Sequence, residues 1–300
     1  MQAIQAVQTK TRIAVKNILF ATDFSVAADA AVPFATQVAK RYGAKVYGVH
    51  VNSFDDYTGV APGAWAAMAE AAEKETKEDA RRLNEQLQGI EHEVVIGEGN
   101  IWEVVSNLIK EKQIDLVVVG TRGRTGLGKA LLGSVAEQIL RQAPCPVLTV
   151  GPHVTLEPEK AAEMHQILYA TDLGAEFPAA APYAISLAQE NQARLVMLHV
   201  IEDRKAGDLV QPKEVADSML SKLRQLVPQE AELWCEPACL VEQGEPTEKI
   251  LDVAKRRNAD LIVLGARPAK GRLGAATHLN AGTVHKVVLQ AKCPVLTVRG

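Results

Sequence analysis

A glycine-rich segment with three cationic side chains, residues 120–135, is the part of the chain best suited to bind an anion. It reads Gly-Thr-Arg-Gly-Arg-Thr-Gly-Leu-Gly-Lys-Ala-Leu-Leu-Gly-Ser-Val. Glycines leave main-chain N–H groups accessible, and successive N–H groups in a turn form a concave anion site. Arg122, Arg124 and Lys129 add positive charge. A helix beginning at Gly133 and Ser134 adds free N–H groups and its dipole, so the segment predicts a phosphate site.

Two other interpretations of residues 120–135 exist. One is a surface loop whose charges are merely solvated. The other is a P-loop, because Gly123 to Lys129 matches the pattern G-x4-G-K. A P-loop needs Ser or Thr after the lysine to hold magnesium, and Ala130 stands there, so we discount the P-loop.

Asp23, which follows the first apolar run of the chain, is the candidate for the opposite end of a nucleotide. A carboxylate beside a triphosphate is repelled, so we expect Asp23 at ribose hydroxyls or an adenine amino group. A compatible second role is capping of the next helix through the turn Thr-Asp-Phe-Ser. Val51 ends the second apolar run and either offers main-chain groups to a base edge or packs in the core. His50, beside it, is expected to be a packing residue, as is His199.

The chain contains one pattern twice. Asp23 returns as Asp172, 149 positions further on, inside the block Ile-Leu-Phe/Tyr-Ala-Thr-Asp. Four blocks recur in the same order at a nearly constant offset, so the chain is a duplication. The pairs are Lys16–Asp23 with His165–Asp172, Val46–Val51 with Leu195–Val200, Ile114–Gly120 with Ala259–Gly265, and Cys145–Val150 with Cys293–Val298.

Each copy alternates short apolar runs with stretches of helical periodicity. In the first copy we predict strands at 16–22, 44–51, 92–96, 114–119 and 146–150, and helices at 28–42, 64–88, 134–142 and after Asn100. Glu73–Lys77 and Glu78–Arg82 are spaced to form ion pairs along the second helix. Strands so rich in Val, Ile and Leu predict a parallel α/β sheet covered by helices on both faces. Ligands of such sheets bind beyond the strands' carboxyl ends, where the strand order reverses.

The composition restricts the classes of partner. The 300 residues are 47% hydrophobic and 23% charged, with a net charge of −3, so we expect no nucleic-acid partner. No apolar run is long enough for a membrane span, and the first residues lack the apolar core of a signal peptide, so we expect a cytoplasmic location and no membrane partner. Cys235 and Cys239 form a lone C-x3-C pair without flanking ligands, so we predict no metal site.

These residues together resemble the universal stress protein family. The likeness rests on Ala-Thr-Asp23-Phe-Ser, on Val-His50-Val51, and above all on Gly120-x2-Gly123-x9-Gly133-Ser134, and it extends over residues 14–300. It implies two tandem Rossmann-like domains of the adenine nucleotide alpha hydrolase-like type, each a five-stranded parallel sheet with helices on both faces. It also implies bound ATP, with or without Mg²⁺, and a regulatory role in stress survival. The implied nucleotide-binding residues are Ala21, Thr22, Asp23, Val51, Gly120, Arg122, Gly123, Gly133, Ser134 and Val135.

The second copy departs from this pattern in its glycine loop. Pro268 replaces the second glycine, and 17 rather than 13 positions separate the first glycine from the last. Proline has no N–H to donate, so we expect this copy to bind nucleotide weakly, differently or not at all. The residues that remain for such a second site are Asp172, Val200, Gly265, Arg267, Gly282 and Thr283.

We predict a first domain at 1–152, a linker at 153–165 and a second domain at 166–300. The resemblance implies that the two copies pair through their last strands as an intramolecular pseudo-dimer, and further homo-oligomers are open. The leading function is an ATP-binding regulatory module. The alternatives are a slow ATPase or nucleotidyl enzyme, which lacks an evident general base, and an interaction scaffold with a vestigial site.

Overall fold

A computed structural model describes residues 13–53, 65–121, 132–154, 164–173, 179–202, 212–228, 231, 237–266 and 282–299. The chain divides into two compact units. Residues 14–152 form the amino-terminal unit, and residues 153–300 belong to the carboxyl-terminal unit. None of the helices in the described part of the chain is long and apolar enough to cross a membrane.

Strands and helices alternate through the amino-terminal unit. Its strands are β1 (Asn17–Ala21), β2 (Lys45–Asn52), β3 (His92–Glu98), β4 (Leu116–Gly120) and β5 (Val147–Val150). Its helices are α1 (Val26–Asp29), α2 (Val32–Tyr42), α3 (Trp65–Gln86), α4 (Ile101–Glu111) and α5 (Ser134–Gln142).

The carboxyl-terminal unit repeats the alternation. Its strands are β6 (Gln166–Ala170), β7 (Arg194–Ile201), β8 (Ala238–Gln243), β9 (Leu261–Ala266) and β10 (Val295–Arg299). Its described helices are α6 (Ala180–Asn191), α7 (Pro212–Gln225), α8 (Pro246–Arg257) and α9 (Thr283–Gln290).

All strand pairs within each unit are parallel, in the order β3-β2-β1-β4-β5 and, correspondingly, β8-β7-β6-β9-β10. The predicted α/β class with parallel sheets is therefore confirmed. The central strands are fully buried, as in β1, where Ile18, Leu19 and Phe20 have no exposed surface. Strand order reverses between β1 and β4, because the chain builds outward from β1 to β3 and then returns to the other side. Their carboxyl ends are therefore the expected ligand position.

The first predicted helix is broken in two. Helical spacing predicts a single helix over 28–42, but α1 ends at Asp29 and α2 begins at Val32. Pro33 stands in the first turn of α2, where its missing N–H is harmless. In a continuous helix the ring of Pro33 would clash with the carbonyl of Asp29, four residues earlier. The predicted end of α2 is confirmed, since Gly43 caps it with φ of 63°.

One aspartate in each copy holds the beginning of the central strand. The carboxylate of Asp115 accepts from the N–H groups of Lys16 and Asn17 at 2.8 and 3.0 Å. Asp260 accepts from His165 and Gln166, both at 2.8 Å. Lys16 and His165 directly precede β1 and β6, whose first residues are Asn17 and Gln166, so each carboxylate accepts from the N–H groups at the start of its strand. The aspartate of the repeated Asp-Leu-Val/Ile block is thus a structural residue.

We expect Asp115→Ala to lower the free energy of unfolding by about 1–2 kcal/mol, because two main-chain donors at the start of β1 lose a charged acceptor. Urea denaturation of the full chain measures this loss. Asp260→Ala should cost a similar amount, and Asp115→Asn, which keeps an acceptor oxygen, should cost less. Unchanged stability in both alanine variants would contradict this role.

Candidate functional site

The turn after β1 is held by a series of short hydrogen bonds. Thr22 donates its N–H to the carbonyl of Val49 on β2 at 2.9 Å, and its hydroxyl accepts from the N–H of Phe24 at 2.9 Å. The Asp23 carboxylate accepts from the N–H of Ser25 at 3.0 Å. Ser25 then caps α1, since its hydroxyl accepts from the N–H of Ala28 at 3.2 Å. Asp23 therefore stabilises the turn between β1 and α1, whereas Ser25 is the N-cap residue of α1.

Phe24 adopts a conformation that non-glycine residues rarely take. Its φ is 58°, in the left-handed region. With this conformation the chain turns sharply, so that α1 begins a few residues after β1 ends. Asp23 is half-buried at the carboxyl end of β1. Leu173 repeats the same conformation in the carboxyl-terminal unit, with φ of 57°.

The end of β4 lies against α1. A Cβ atom on Gly120 would lie 3.0 Å from the carbonyl oxygen of Ala27 and 3.1 Å from the Cα of Ala28. The first glycine of the sequence pattern is thus required by packing of backbone on backbone. Sequence reasoning attributed Gly120 to the approach of a ligand and missed this contact.

The first turn of α5 presents free main-chain donors next to the end of β4. Gly133 is its N-cap residue, and the N–H of Gly133 donates to the carbonyl of Thr121 at 2.9 Å. The N–H groups of Ser134, Val135 and Ala136 have no acceptor among the described residues, as expected for the first turn of a helix. Among the described residues, the donors available to an anion are therefore the N–H groups of residues 134–136. Gly133 has no side chain at the N-cap position that could cover them.

Helix α3 is attached to the turn after β1 through Arg82. The Arg82 guanidinium lies 3.4 Å from the carbonyl oxygen of Phe24, 3.5 Å from the Asp29 carboxylate and 3.3 Å from that of Asp79. Burial raises the pKa of Asp29 above its ordinary value; Arg82 opposes this rise, and the charges of Asp79 and Asp23 add to it. The predicted Glu78–Arg82 pair is absent between these two described residues, whereas Glu73 and Lys77 do pair.

The structure brings together most of the sequence-predicted site residues. Ala21 pairs in register with Val49 of β2 and with Val119 of β4, so the carboxyl ends of three neighbouring strands meet there. Those ends carry Ala21, Thr22, Asp23, Val51 and Gly120, and the start of α5 adds Gly133, Ser134 and Val135. Arg122 and Gly123 lie outside the described residues, as do Arg124 and Lys129.

The carboxyl-terminal unit matches the first at the end of its central strand. Thr171 donates its N–H to the carbonyl of Leu198 at 3.0 Å, and its hydroxyl accepts from the N–H of Leu173 at 3.1 Å. Asp172 is exposed between them, and Val200 lies on the neighbouring β7. The turn after β1 thus recurs after β6.

The two units differ at the end of the fourth strand and the start of the helix that follows it. Gly265 lies near the end of β9, and Gly282 caps α9, which begins at Thr283. Ala266 replaces Thr121, and no hydrogen bond joins the described residues Gly282 and Ala266, unlike Gly133 and Thr121. Arg267 and Pro268 lie outside the described residues.

The described cysteines are poor nucleophiles. Burial raises the pKa of the Cys145 thiol to about 11 and that of Cys293 to about 12. Thiolate is the reactive form of cysteine, so neither residue is suited to redox or covalent chemistry near neutral pH. Cys235, half of the C-x3-C pair, lies outside the described residues.

A sequence profile of the universal stress protein family matches the chain twice, over residues 14–151 and 163–299. A universal stress protein of Mycolicibacterium smegmatis is 29% identical over 306 residues, covering 94% of this chain and 97% of that relative. One from Methanocaldococcus jannaschii is 33% identical over 138 residues, covering 45% of this chain and 81% of that relative. The crystal structure of a universal stress protein from Archaeoglobus fulgidus has the same fold, with a TM-score of 0.71 at 22% identity, over 96% of this chain and 98% of that one.

Proposed function

The chain belongs to the universal stress protein family, and on that premise we propose that its amino-terminal unit binds an adenine nucleotide, ATP, as a regulatory module of the stress response. The observation that carries the proposal is the free first turn of α5, which lies next to the end of β4 at the point where strand order reverses. Three N–H groups without an acceptor among the described residues, together with the helix dipole, favour an anion there. No other position at the strand ends in the described part of this unit combines these features.

The nucleotide has a defined direction in this proposal. Its phosphates lie at the start of α5, where Ser134 and Val135 donate N–H groups and Ser134 adds an exposed hydroxyl. Its ribose and base lie toward β1 and β2, where Asp23 accepts from hydroxyl or amino groups and the main chain of Val51 faces the base edge. A carboxylate is unfavourable beside phosphates, which supports Asp23 at the nucleoside end. Gly120, Arg122 and Gly123 complete the phosphate end by their place in the glycine pattern.

Regulation is favoured over fast hydrolysis by the described side chains near the ends of β1 and β4. A phosphoryl-transfer enzyme uses a residue that orients the attacking group and carboxylates that hold magnesium. Among the described residues no group of three or more His, Cys, Asp or Glu side chains is arranged to hold a metal ion. We propose that any Mg²⁺ accompanies ATP as its counter-ion. Turnover above about 1 s⁻¹, the lower range of evolved enzymes, would favour the enzyme instead.

We propose a cytoplasmic location and no nucleic-acid or membrane partner, on the basis of the charge and composition. We also propose that Asp172, Val200, Gly265, Arg267, Gly282 and Thr283 form at most a weaker second site. Pairing of the two copies through their last strands, and the domain limits 1–152, 153–165 and 166–300, remain predictions.

Native mass spectrometry of the freshly purified chain, followed by calorimetric titration with ATP, tests the proposal. We expect one tightly bound ATP per chain, either co-purified or acquired on titration with and without Mg²⁺. AMP, ADP and GTP titrated in the same way measure the preference for adenine and for the number of phosphates. A chain that retains no nucleotide and binds none on addition would refute the proposal and favour an interaction scaffold.

A further inference from the structure

His50 lies at the junction of the elements that carry the nucleoside end of the site. It stands on β2 beside Val51 and is only 9% exposed. Its Nδ1 lies 3.0 Å from the carbonyl oxygen of Thr22, the residue that precedes Asp23. A carbonyl oxygen can only accept, so Nδ1 carries a hydrogen and donates it.

The His50 ring also contacts the residue that follows Asp23. The ring centroids of His50 and Phe24 are 4.6 Å apart, with 32° between the ring planes. Phe24 is the residue with φ of 58°, so this contact covers the strained position of the turn. His50 therefore holds both chain neighbours of Asp23, Thr22 by a hydrogen bond and Phe24 by ring packing.

The remaining ring nitrogen is held from the opposite side. Nε2 of His50 lies 3.2 Å from the side-chain amide of Asn52, and the hydroxyl of Thr76 on α3 lies 3.4 Å from the same amide atom. With its hydrogen on Nδ1, the neutral ring accepts at Nε2, so the Asn52 amide donates to it through its N–H₂ group. A ring with a partner on each nitrogen and a packed face has little freedom to rotate. The orientation of the donor to Thr22 is thus fixed by contacts from β2, from the turn after β1 and from α3.

His199 of the carboxyl-terminal unit offers an internal comparison. Its Nδ1 lies 2.9 Å from the carbonyl oxygen of Thr171, and it too is 9% exposed. However, Leu173 replaces Phe24 and Ile201 replaces Asn52, so the ring packing and the second polar partner are both lost. The bond to the strand end is common to both copies, whereas the additional contacts occur in the copy with the complete glycine pattern.

We propose that His50 is a positioning residue for nucleotide binding: by holding Thr22 and Phe24 it fixes the main chain on which Asp23 is presented to the nucleoside. This inference rests on the proposed nucleotide site of the amino-terminal unit. It differs from a purely structural role in the contacts that His199 lacks: the bond to the strand end occurs in both copies, whereas the packing on Phe24 and the contact with Asn52 occur in the copy with the complete glycine pattern.

Three substitutions separate the contacts of the ring. His50→Ala removes all of them and should weaken ATP binding about tenfold, because the turn is no longer held for the ligand. His50→Asn places an N–H near the position of Nδ1 and should restore the affinity to within about threefold. His50→Gln places its N–H near Nε2 instead and should not restore it. Calorimetric titration of the full chain with ATP measures all three.

Amide hydrogen exchange provides a measurement that does not depend on nucleotide. In the absence of ATP, His50→Ala should speed the exchange of the peptide containing residues 22–28, and His50→Asn should return it toward the native rate. His199→Ala is the matched control. It should speed exchange in the corresponding turn of its own unit and leave the affinity for ATP unchanged.

The outcomes distinguish this inference from the proposed function. If His50→Ala leaves the ATP affinity unchanged, whether or not the exchange of residues 22–28 rises, or if His199→Ala weakens ATP binding as much, the positioning role is wrong. If the native chain binds no ATP but His50→Ala still loosens the turn, the nucleotide site is wrong and only the structural contact survives. Rescue by His50→Gln but not by His50→Asn would assign the effect to Asn52 and overturn the proposed route through Thr22.

Discussion

Replacing Gly133 with glutamate is expected to weaken ATP binding at least 100-fold, equivalent to about 2.7 kcal/mol. Gly133 caps α5 with φ of −60° and ψ of 143°, a conformation open to any residue, so the backbone tolerates the change. The new carboxylate, however, lies at the helix start where phosphate is proposed to bind, and repels it while competing for the same free N–H groups. Calorimetric titration with ATP measures the loss.

Stability separates this effect from unfolding. An acidic residue at the start of a helix complements the helix dipole, so the Tm of Gly133→Glu should equal or exceed that of the native chain. Gly133→Ala, which adds only a methyl group, should weaken binding far less. Gly282→Glu makes the same change at the start of α9 and should leave the tight site intact. Native affinity in a folded Gly133→Glu chain would show that the phosphates lie elsewhere.

The alternation of strands and helices could be predicted from the sequence because a strand that is buried on both faces of the sheet consists of consecutive apolar residues. Strands such as β1 and β4 are nearly continuous in apolar residues, and the duplication shows the same series of elements twice. Breaks set by local chemistry were harder to predict. The interruption at residues 30–31 follows from Pro33, whose effect was hidden by the apolar spacing on either side.

The candidate site was predictable in its position and less so in the role of each residue. The pattern of elements shows where each strand ends, and it placed Asp23 and Gly120 at the carboxyl ends of neighbouring strands. Gly120 is also needed for packing against α1. This need depends on the angle at which a short helix crosses a strand, and that angle cannot be predicted from the spacing of residues in the sequence. The structural role of Asp115 had a signal, its recurrence as Asp260 in the second copy. His50 had the same signal, its recurrence as His199, and was interpreted as packing alone.

Gly120→Val should combine a loss of stability of about 3 kcal/mol with a loss of ATP affinity of at least tenfold. The side chain would enter the space held by the carbonyl of Ala27 and the Cα of Ala28, and backbone atoms cannot rotate away. The strain is relieved only if α1 moves off β4, which separates the turn that carries Asp23 from the start of α5. Both ends of the nucleotide site then lose their spacing. Urea denaturation and ATP titration of the full chain measure the two losses.

Gly43→Ala is the control that isolates this contact. A Cβ atom on Gly43 would meet nothing within 4 Å, but the residue has φ of 63°, so alanine there costs about 1–2 kcal/mol of backbone strain without displacing a neighbour. It should lower stability and leave the ATP affinity native. If Gly120→Val also kept native affinity, the approach of α1 to β4 would have no bearing on the ligand. We expect only Gly120→Val to lose affinity. Both variants are destabilised, so a loss in Gly120→Val alone would be due to the displacement of α1 from β4, and it would link the packing of Gly120 to the nucleotide site.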